Sequence, residues 1–431
     1  MSVADVEVPV RTSETHRPKG SAMTAAGAGV DTHTGHPAPG RGLRLIAFPA
    51  AVYAFAVVMM GTTLPTPLYP EYQREFGFGS LMTTVIFATY AVGVIAALIG
   101  VGQFSDTIGR RPMLFAGVAL SLASAVLFLI GGSVEILFVG RLVSGFSAGI
   151  FTSTATVAVI EAAPAARRRM APAIATAANI GGLGLGPLVA GVVTEFAPYP
   201  TRTVFVVHAL LLVIAGAGLL TVPETVKVRK GARPTLQRIS VPPSVRGIFP
   251  QAVIGAVAGF AVCGLFTAVA PNFMTKVLDI SSPTITGLVV FVLFASSAAT
   301  QIVLSNAPVR PSLVAGYISL TVGMAVLIVS LEAASLAGLI VGAVISGASQ
   351  GLLFSKGIAA IAARVEPERK ADATSAYFVV AYLAISVPII ADGFAAQAWT
   401  LTTAGVVFAS VITVMAVGGL IALLMRPRDA I

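Results

Sequence analysis

The chain has 431 residues, of which 56% are hydrophobic and only 10% charged, with a mean hydropathy of +0.92. A soluble domain carries roughly 25% charged residues, so this composition excludes a soluble globular protein. The single cysteine, Cys263, excludes a disulfide framework or thiolate metal cluster, and the formal charge of +9 reads first as membrane topology.

In chain order, residues 1–42 are rich in Gly, Pro, Ala, Thr and charge and hold no apolar run of signal-peptide length. They read as a disordered cytoplasmic tail. His33 and His36 are too few, in such a tail, to make a metal site. Apolar stretches of spanning length then recur near 43–64, 80–101, 112–131, 135–160, 171–197, 202–222, 248–275, 284–305, 312–331, 334–361, 371–396 and 401–425. They predict an all-α polytopic membrane protein with twelve transmembrane helices. The polar loop 223–247 divides it into six-helix halves at 43–222 and 248–425, and 426–431 forms a short cytoplasmic end.

The basic residues set the sidedness. With the amino terminus inside, 22 of the 27 Lys and Arg fall in cytoplasmic segments, and only Arg74, Arg202 and Lys276 fall outside. That asymmetry satisfies the positive-inside rule and places both termini in the cytoplasm of a plasma or inner membrane. The basic charge is accounted for by the bilayer, and nucleic acid is not expected as a partner.

An internal repeat follows. Shifting the chain by 202 residues lays Ser144-Gly145-Phe146-Ser147-Ala148-Gly149 on Ser346-Gly347-Ala348-Ser349-Gln350-Gly351, and Gly191 on Gly393. Span four is thus repeated in span ten, and span five in span eleven. Halves related this way are expected to frame a substrate site near the midplane.

Three stretches carry chemistry. Gly102 to Arg111 reads G-x-x-x-D-x-x-G-R-R, a short loop that turns at Gly109 and sets Asp106 beside Arg110 and Arg111. The matching loop of the second half, Ser305 to Pro311, keeps Arg310 but has neither the acid nor the double arginine. Span four carries Arg141, followed three residues later by Ser144-Gly145. A guanidinium inside a bilayer costs several kcal/mol unless it faces a polar interior, although Arg141 also lies near enough to the outer end to snorkel. Span five contains Gly182-Leu183-Gly184-Leu185-Gly186-Pro187-Leu188-Val189-Ala190-Gly191. Gly182 and Gly186 permit close helix approach, and Pro187 frees a backbone carbonyl. At the cytoplasmic ends, Glu161 precedes Arg168 by seven residues, and Pro223-Glu224-Thr225 closes span six.

These stretches resemble motifs A, B and C of the major facilitator superfamily, and the likeness covers about 380 residues, everything but the tail. Departures are Thr107 where the family usually has a basic residue, Ser144 and Ser147 where it often has Gln and Gly, and Ala190 in place of a glycine. The resemblance implies two pseudo-symmetric six-helix halves and proton-coupled efflux of small organic molecules by a monomer, with an uptake symporter as the alternative. It implies a charge-linked cytoplasmic gate built from Asp106, Gly109, Arg110, Arg111, Glu161 and Arg168, and a helix-packing motif at Gly182, Gly186, Pro187 and Gly191. Arg141, Ser144, Tyr53, Tyr90, Asn179, Gln350, Tyr377 and Tyr382 are the candidates for lining the transport cavity. His208 and Asp392 are candidate proton carriers, though surface hydration is the simpler account of both, and Lys356 has a snorkelling alternative. Span one has no acid, which disfavours lipophilic cations and leaves neutral or anionic substrates open. No H-E-x-x-H or nucleotide-binding loop occurs, so neither an enzyme nor an ATP-driven pump is expected, and no cofactor beyond the proton gradient.

Overall fold

The computed structural model describes residues 41–101, 104–226, 240–366 and 369–426, without the side chains of 41–45, 106, 370 and 371. Most of the tail and of the central loop therefore lies outside the described residues. Among the described residues, twelve helices are long and apolar enough to cross a membrane, and no strand occurs.

The first span departs from its expected limits. Helix α1 (Arg41–Thr63) begins inside the segment read as tail, and the span continues through a 3-10 turn at Thr66–Leu68 into α2 (Tyr69–Phe76). Pro65, Pro67 and Pro70 break the α-helical hydrogen bonding there, yet each suits the first turn of the element that follows. The first half continues with α3 (Ser80–Val101), the short α4 (Phe104–Thr107), α5 (Arg110–Ile130), α6 (Val134–Ala162), α7 (Ala171–Phe196) and α8 (Pro200–Leu219). In the second half, α9 (Phe249–Gly264), a π-helical turn at Leu265–Val269 and α10 (Ala270–Lys276) make one span. It is followed by α11 (Pro283–Val303), α12 (Val309–Glu332), α13 (Leu336–Ala362), α14 (Lys370–Ala398) and α15 (Leu401–Leu424).

Burial sorts these helices. The outer α8 and α15 expose Leu210, Val213, Val411 and Val414, as lipid-facing helices must. The stretch from Ala258 to Met274 is buried throughout, so the seventh span is central.

The repeat has a physical basis in close helix approach. A Cβ added at Gly145 or Gly149 of α6 would strike the α3 backbone at Tyr90 and Val94. One added at Gly347 or Gly351 of α13 would strike the α11 backbone at Leu293 and Ser297. Ser147 donates to the Gly117 carbonyl of α5 at 2.7 Å, and Ser349 donates to the Gly316 carbonyl of α12, also at 2.7 Å. The same small residues hold the same three-helix contact in each half.

Helix α7 joins the halves. On one side Gly182 and Gly186 lie against α1 at Ala56 and Met60. Pro187 cannot donate to the Leu183 carbonyl, and the Thr63 hydroxyl of α1 donates to it instead at 2.6 Å. On the other side Gly191 meets Pro283, and Gly287 of α11 meets the Pro187 carbonyl. The repeat-related contact is α14 on α3, where Gly393 presses on Thr84.

The two ends of the bundle differ. We call the face bearing Arg110, Arg167 and Arg310 the basic face and its opposite the far face. At the far face, Glu195 at the end of α7 accepts from the Ser282 hydroxyl at 2.8 Å and from the Thr284 N–H at 3.1 Å, across the halves. Gln73 Nε2 donates to Asn272 Oδ1 at 3.1 Å, and Lys276 Nζ donates to Ser80 Oγ at 3.3 Å. At the basic face, the contacts of Glu224 with the α5 N-terminus, Arg110 with Glu161, Arg111 with Leu220, Arg310 with Arg426 and Lys356 with Ser305 and Ala307 each stay within one half. The far face is tied across the halves by Glu195, Gln73 and Lys276.

Replacing the Thr63 hydroxyl leaves the Leu183 carbonyl without a donor. Thr63→Val is expected to destabilise the purified protein by about 1–3 kcal/mol, seen as a lower melting temperature in detergent, while Thr63→Ser keeps the parent value.

Candidate functional site

The loop expected as a gate is organised by an acid on a helix end. Gly109, at φ +116°, precedes α5 and has no side chain to cap it. Glu224 supplies the cap: its carboxylate accepts from the Arg110 N–H at 3.0 Å and the Arg111 N–H at 2.9 Å. An anion on a helix N-terminus is stabilised by the free amide groups and the helix dipole together. A Cβ at Gly109 would collide with that carboxylate.

Around this cap, Arg110 Nη1 donates to Ser105 at 2.8 Å, and Nη2 lies 3.6 Å from Glu161. Glu161 also accepts from the Thr225 hydroxyl. Arg111 donates to the Leu220 carbonyl at 3.2 Å and lies over the Phe115 ring. The structure thus brings Gly109, Arg110, Arg111 and Glu161 together, with Glu224 at their centre. Arg168 is exposed and makes no polar contact with the cluster among the described residues. Asp106 belongs to the short helix α4, and its side chain lies outside the described residues.

The second half holds its matching loop differently. Lys356, buried in α13, donates to the Ser305 carbonyl at 3.0 Å and to that of Ala307 at 2.8 Å. Its ammonium ties a loop and does not snorkel to water. Arg310 reaches the Arg426 carbonyl at 2.8 Å.

Arg141 does not snorkel either. It is 1% exposed, its Nη1 donates to the Thr62 carbonyl of α1, and its Nη2 lies 3.4 Å from the Phe87 carbonyl of α3. The guanidinium also lies 5.3 Å from the Phe87 ring centre and 5.1 Å from that of Tyr90. Backbone carbonyls and aromatic faces thus replace water around the cation. Its Nε–H has no partner among the described residues. Ser144, the nearby candidate, bonds its own helix at the Arg141 carbonyl.

From Tyr90 an aromatic row crosses between the halves. Tyr90 meets Tyr382 of α14 edge-on at 6.0 Å between centres, Phe378 stacks on Tyr382 at 6.4 Å, and Phe354 packs on Phe378 at 5.7 Å. The Thr152 hydroxyl of α6 lies 3.4 Å from that of Tyr382. Tyr377 stacks on Phe354 and donates to its carbonyl at 3.3 Å. The structure therefore joins Tyr90, Tyr377, Tyr382 and Arg141 in one central row and adds Phe354 and Phe378. Those two phenylalanines had no sequence signal, because an apolar ring in a span reads as lipid-facing or core.

The other candidates lie elsewhere. Tyr53 donates to the Leu211 carbonyl of α8 at 3.3 Å, a contact inside the first half. Gln350 accepts from Ser297 and stays inside the second half, while Asn179 is buried in α7. His208 and Asp392 are buried, at 3% and 4% exposure, which overturns the expectation of surface hydration. His208 Nε2 lies 3.1 Å from the Val57 carbonyl of α1. The far-face residues Glu195, Gln73 and Asn272 were missed, since single polar residues near span ends look like ordinary loop edges in a sequence.

The model of the Major Facilitator Superfamily matches residues 51–307. The chain is 27% identical to Multidrug resistance protein 1 of Bacillus subtilis over 197 residues, 43% of this chain and 49% of that protein. It is 29% identical to Multidrug resistance protein MdtM of Salmonella typhimurium over 205 residues, 47% of this chain and 48% of that protein. It is 22% identical to the Putative multidrug resistance protein MdtD of Salmonella newport over 221 residues, 48% of this chain and 47% of that one. The chain thus spans about half the length of the curated relatives it matches.

Arg141 can be separated from mere charge. Arg141→Ala is expected to reduce transport to background at normal membrane levels, and Arg141→Lys to restore little, because an ammonium has neither the planar fork that faces the Thr62 and Phe87 carbonyls nor the flat face that lies against the Phe87 and Tyr90 rings. Export of the neutral dye Nile red from cells, with quantified membrane protein, measures both.

Proposed function

The chain belongs to the Major Facilitator Superfamily, and from that premise we propose that it is a secondary active transporter exporting small organic molecules in exchange for protons. The basic face is cytoplasmic in this reading, with both termini inside, and the working unit is a monomer. The observation that carries the reading is the difference between the two faces. Glu195, Gln73, Lys276 and the glycine contacts close the far face across the halves, while the contacts of Glu224, Glu161, Lys356 and Arg310 described above stay inside each half. A far face closed across the halves suits the inward-facing state of an alternating-access cycle.

Two features favour export over uptake. The small-residue and proline pattern of α7 resembles that of antiporters, and the relatives above are named for multidrug resistance. The substrate class follows from the central row: aromatic rings, one guanidinium, and no acid on α1 suit neutral, aromatic or weakly anionic compounds. The charge cluster around Arg110 and Glu161 serves as the cytoplasmic gate, with Asp106 as a member.

Expression in an efflux-deficient bacterial host tests the proposal. Cells loaded with Nile red are expected to lose dye faster than vector controls, and a protonophore is expected to remove the difference. Faster accumulation driven by the same gradient would support the uptake symporter instead, and transport insensitive to the protonophore would contradict proton coupling.

A further inference from the structure

We infer that Asp392 is the site at which the transporter takes up a proton from the far face, and that its protonation lets that face close. The inference rests on the proposed proton exchange and assigns that exchange a place. Asp392 is 4% exposed, and neither carboxylate oxygen has a hydrogen-bond partner among the described residues. It lines a small cavity between the halves, with Ser80 and Thr84 of α3, Ala268 and Val269 of the π-helical turn, and Asn272 of α10.

A carboxylate buried without a donor costs several kcal/mol in an apolar interior, so this site holds either a neutral acid or a bound cation. A metal ion would need several free oxygen ligands. Here Asn272 Oδ1 already accepts from Gln73, and Ser80 Oγ accepts from the Lys276 ammonium at 3.3 Å. The Thr84 hydroxyl is turned to the Leu81 carbonyl of its own helix at 2.7 Å. An ammonium at the rim and engaged oxygens leave the proton as the cation that fits. The step is the simplest one: hydrated acid outside gives its proton to one carboxylate oxygen, an O–H bond forms, and water is left behind.

Packing does not require the acid. At the repeat-related position the first half has Ala190, fully buried beside Gly191. The neighbouring Gly393 presses on Thr84, so separating α14 from α3 opens the cavity and brings water to the carboxyl group. The adjoining π-helical turn supplies a segment whose hydrogen bonding can shift during that opening. Of the neighbouring ionisable groups, Lys276 of α10 reaches the cavity rim through its bond to Ser80. Tyr90 of α3, Cys263 of α9, Lys356 of α13, and Asp372, Tyr377 and Tyr382 of α14 itself do not line it.

The test needs no substrate. Ala396 lines the cavity and Gln397 beside it is exposed, so each is changed to Cys in a Cys263→Ser background. Intact cells are labelled with a membrane-impermeant maleimide, and the rate at Ala396→Cys is normalised to that at Gln397→Cys. Raising the external pH from about 5.5 to about 8.5 is expected to raise the normalised rate about tenfold, as the ionised acid favours the far-open state. Asp392→Asn, which mimics the neutral acid, is expected to hold the rate low at both pH values, and Asp392→Glu to keep the dependence. An unchanged pH dependence in Asp392→Asn overturns the proposal. So does a response to sodium at fixed pH as large as the response to protons. The Nile red assay on the parent protein reports separately on export, so loss of one reading is not confused with loss of the other.

Discussion

A membrane interior offers no water to a freed backbone carbonyl, and the protein's centre is arranged around one such group. Pro187 releases the Leu183 carbonyl in the middle of α7, and the Thr63 hydroxyl of α1 receives it. That bond requires the two backbones to run close together, which Gly182 and Gly186 allow. With α7 fixed on α1, its opposite edge presents Gly191 and the Pro187 carbonyl to α11 of the other half. The seal of the far face follows: Glu195 reaches the N-terminus of α11, and the repeat-related pair of α14 and α3 closes the other side.

The same accounting explains why the basic face is free to open. Each half satisfies its own helix ends there by different means. The first half places acids on a helix N-terminus, with Glu224 capping α5 and Glu161 beside Arg110. The second half places cations on carbonyl groups, with Lys356 on Ser305 and Ala307 and Arg310 on Arg426. Opposite charges do equivalent work at helix starts and at loop carbonyls, because each meets the end of the backbone dipole that suits it. Since none of these contacts crosses to the other half, the halves can separate at this face with these groups still paired.

Spans, repeat and motifs were legible in the sequence because each rests on a local pattern. Apolar length gives the spans, and the Gly145–Gly149 and Gly347–Gly351 pairs give the repeat. Features that depend on what lies opposite were not legible. Arg141 is held by the carbonyls of Thr62 and Phe87, and a carbonyl has no residue type to announce it. Tyr53 and Tyr90 look alike in sequence, yet one turns to α8 and the other to the boundary between the halves. Asp392 sits near the end of its helix, where hydration is the natural expectation, but α3 and the π-helical turn cover it. The first span overran its expected end at residue 64 because Pro65, Pro67 and Pro70 sit at the starts of the short helices that continue it.

The account depends on the halves parting at the far face during each cycle, and a cross-link there addresses it directly. Gln73 and Asn272 join α2 to α10 by a 3.1 Å hydrogen bond. Both are changed to Cys in a Cys263→Ser background, oxidised to a disulfide, and assayed for protonophore-sensitive Nile red export before and after reduction. The expected result is loss of export on oxidation and recovery on reduction, with the export of each single-cysteine variant unchanged by oxidation. Undiminished export by fully cross-linked protein would contradict alternating access at this face.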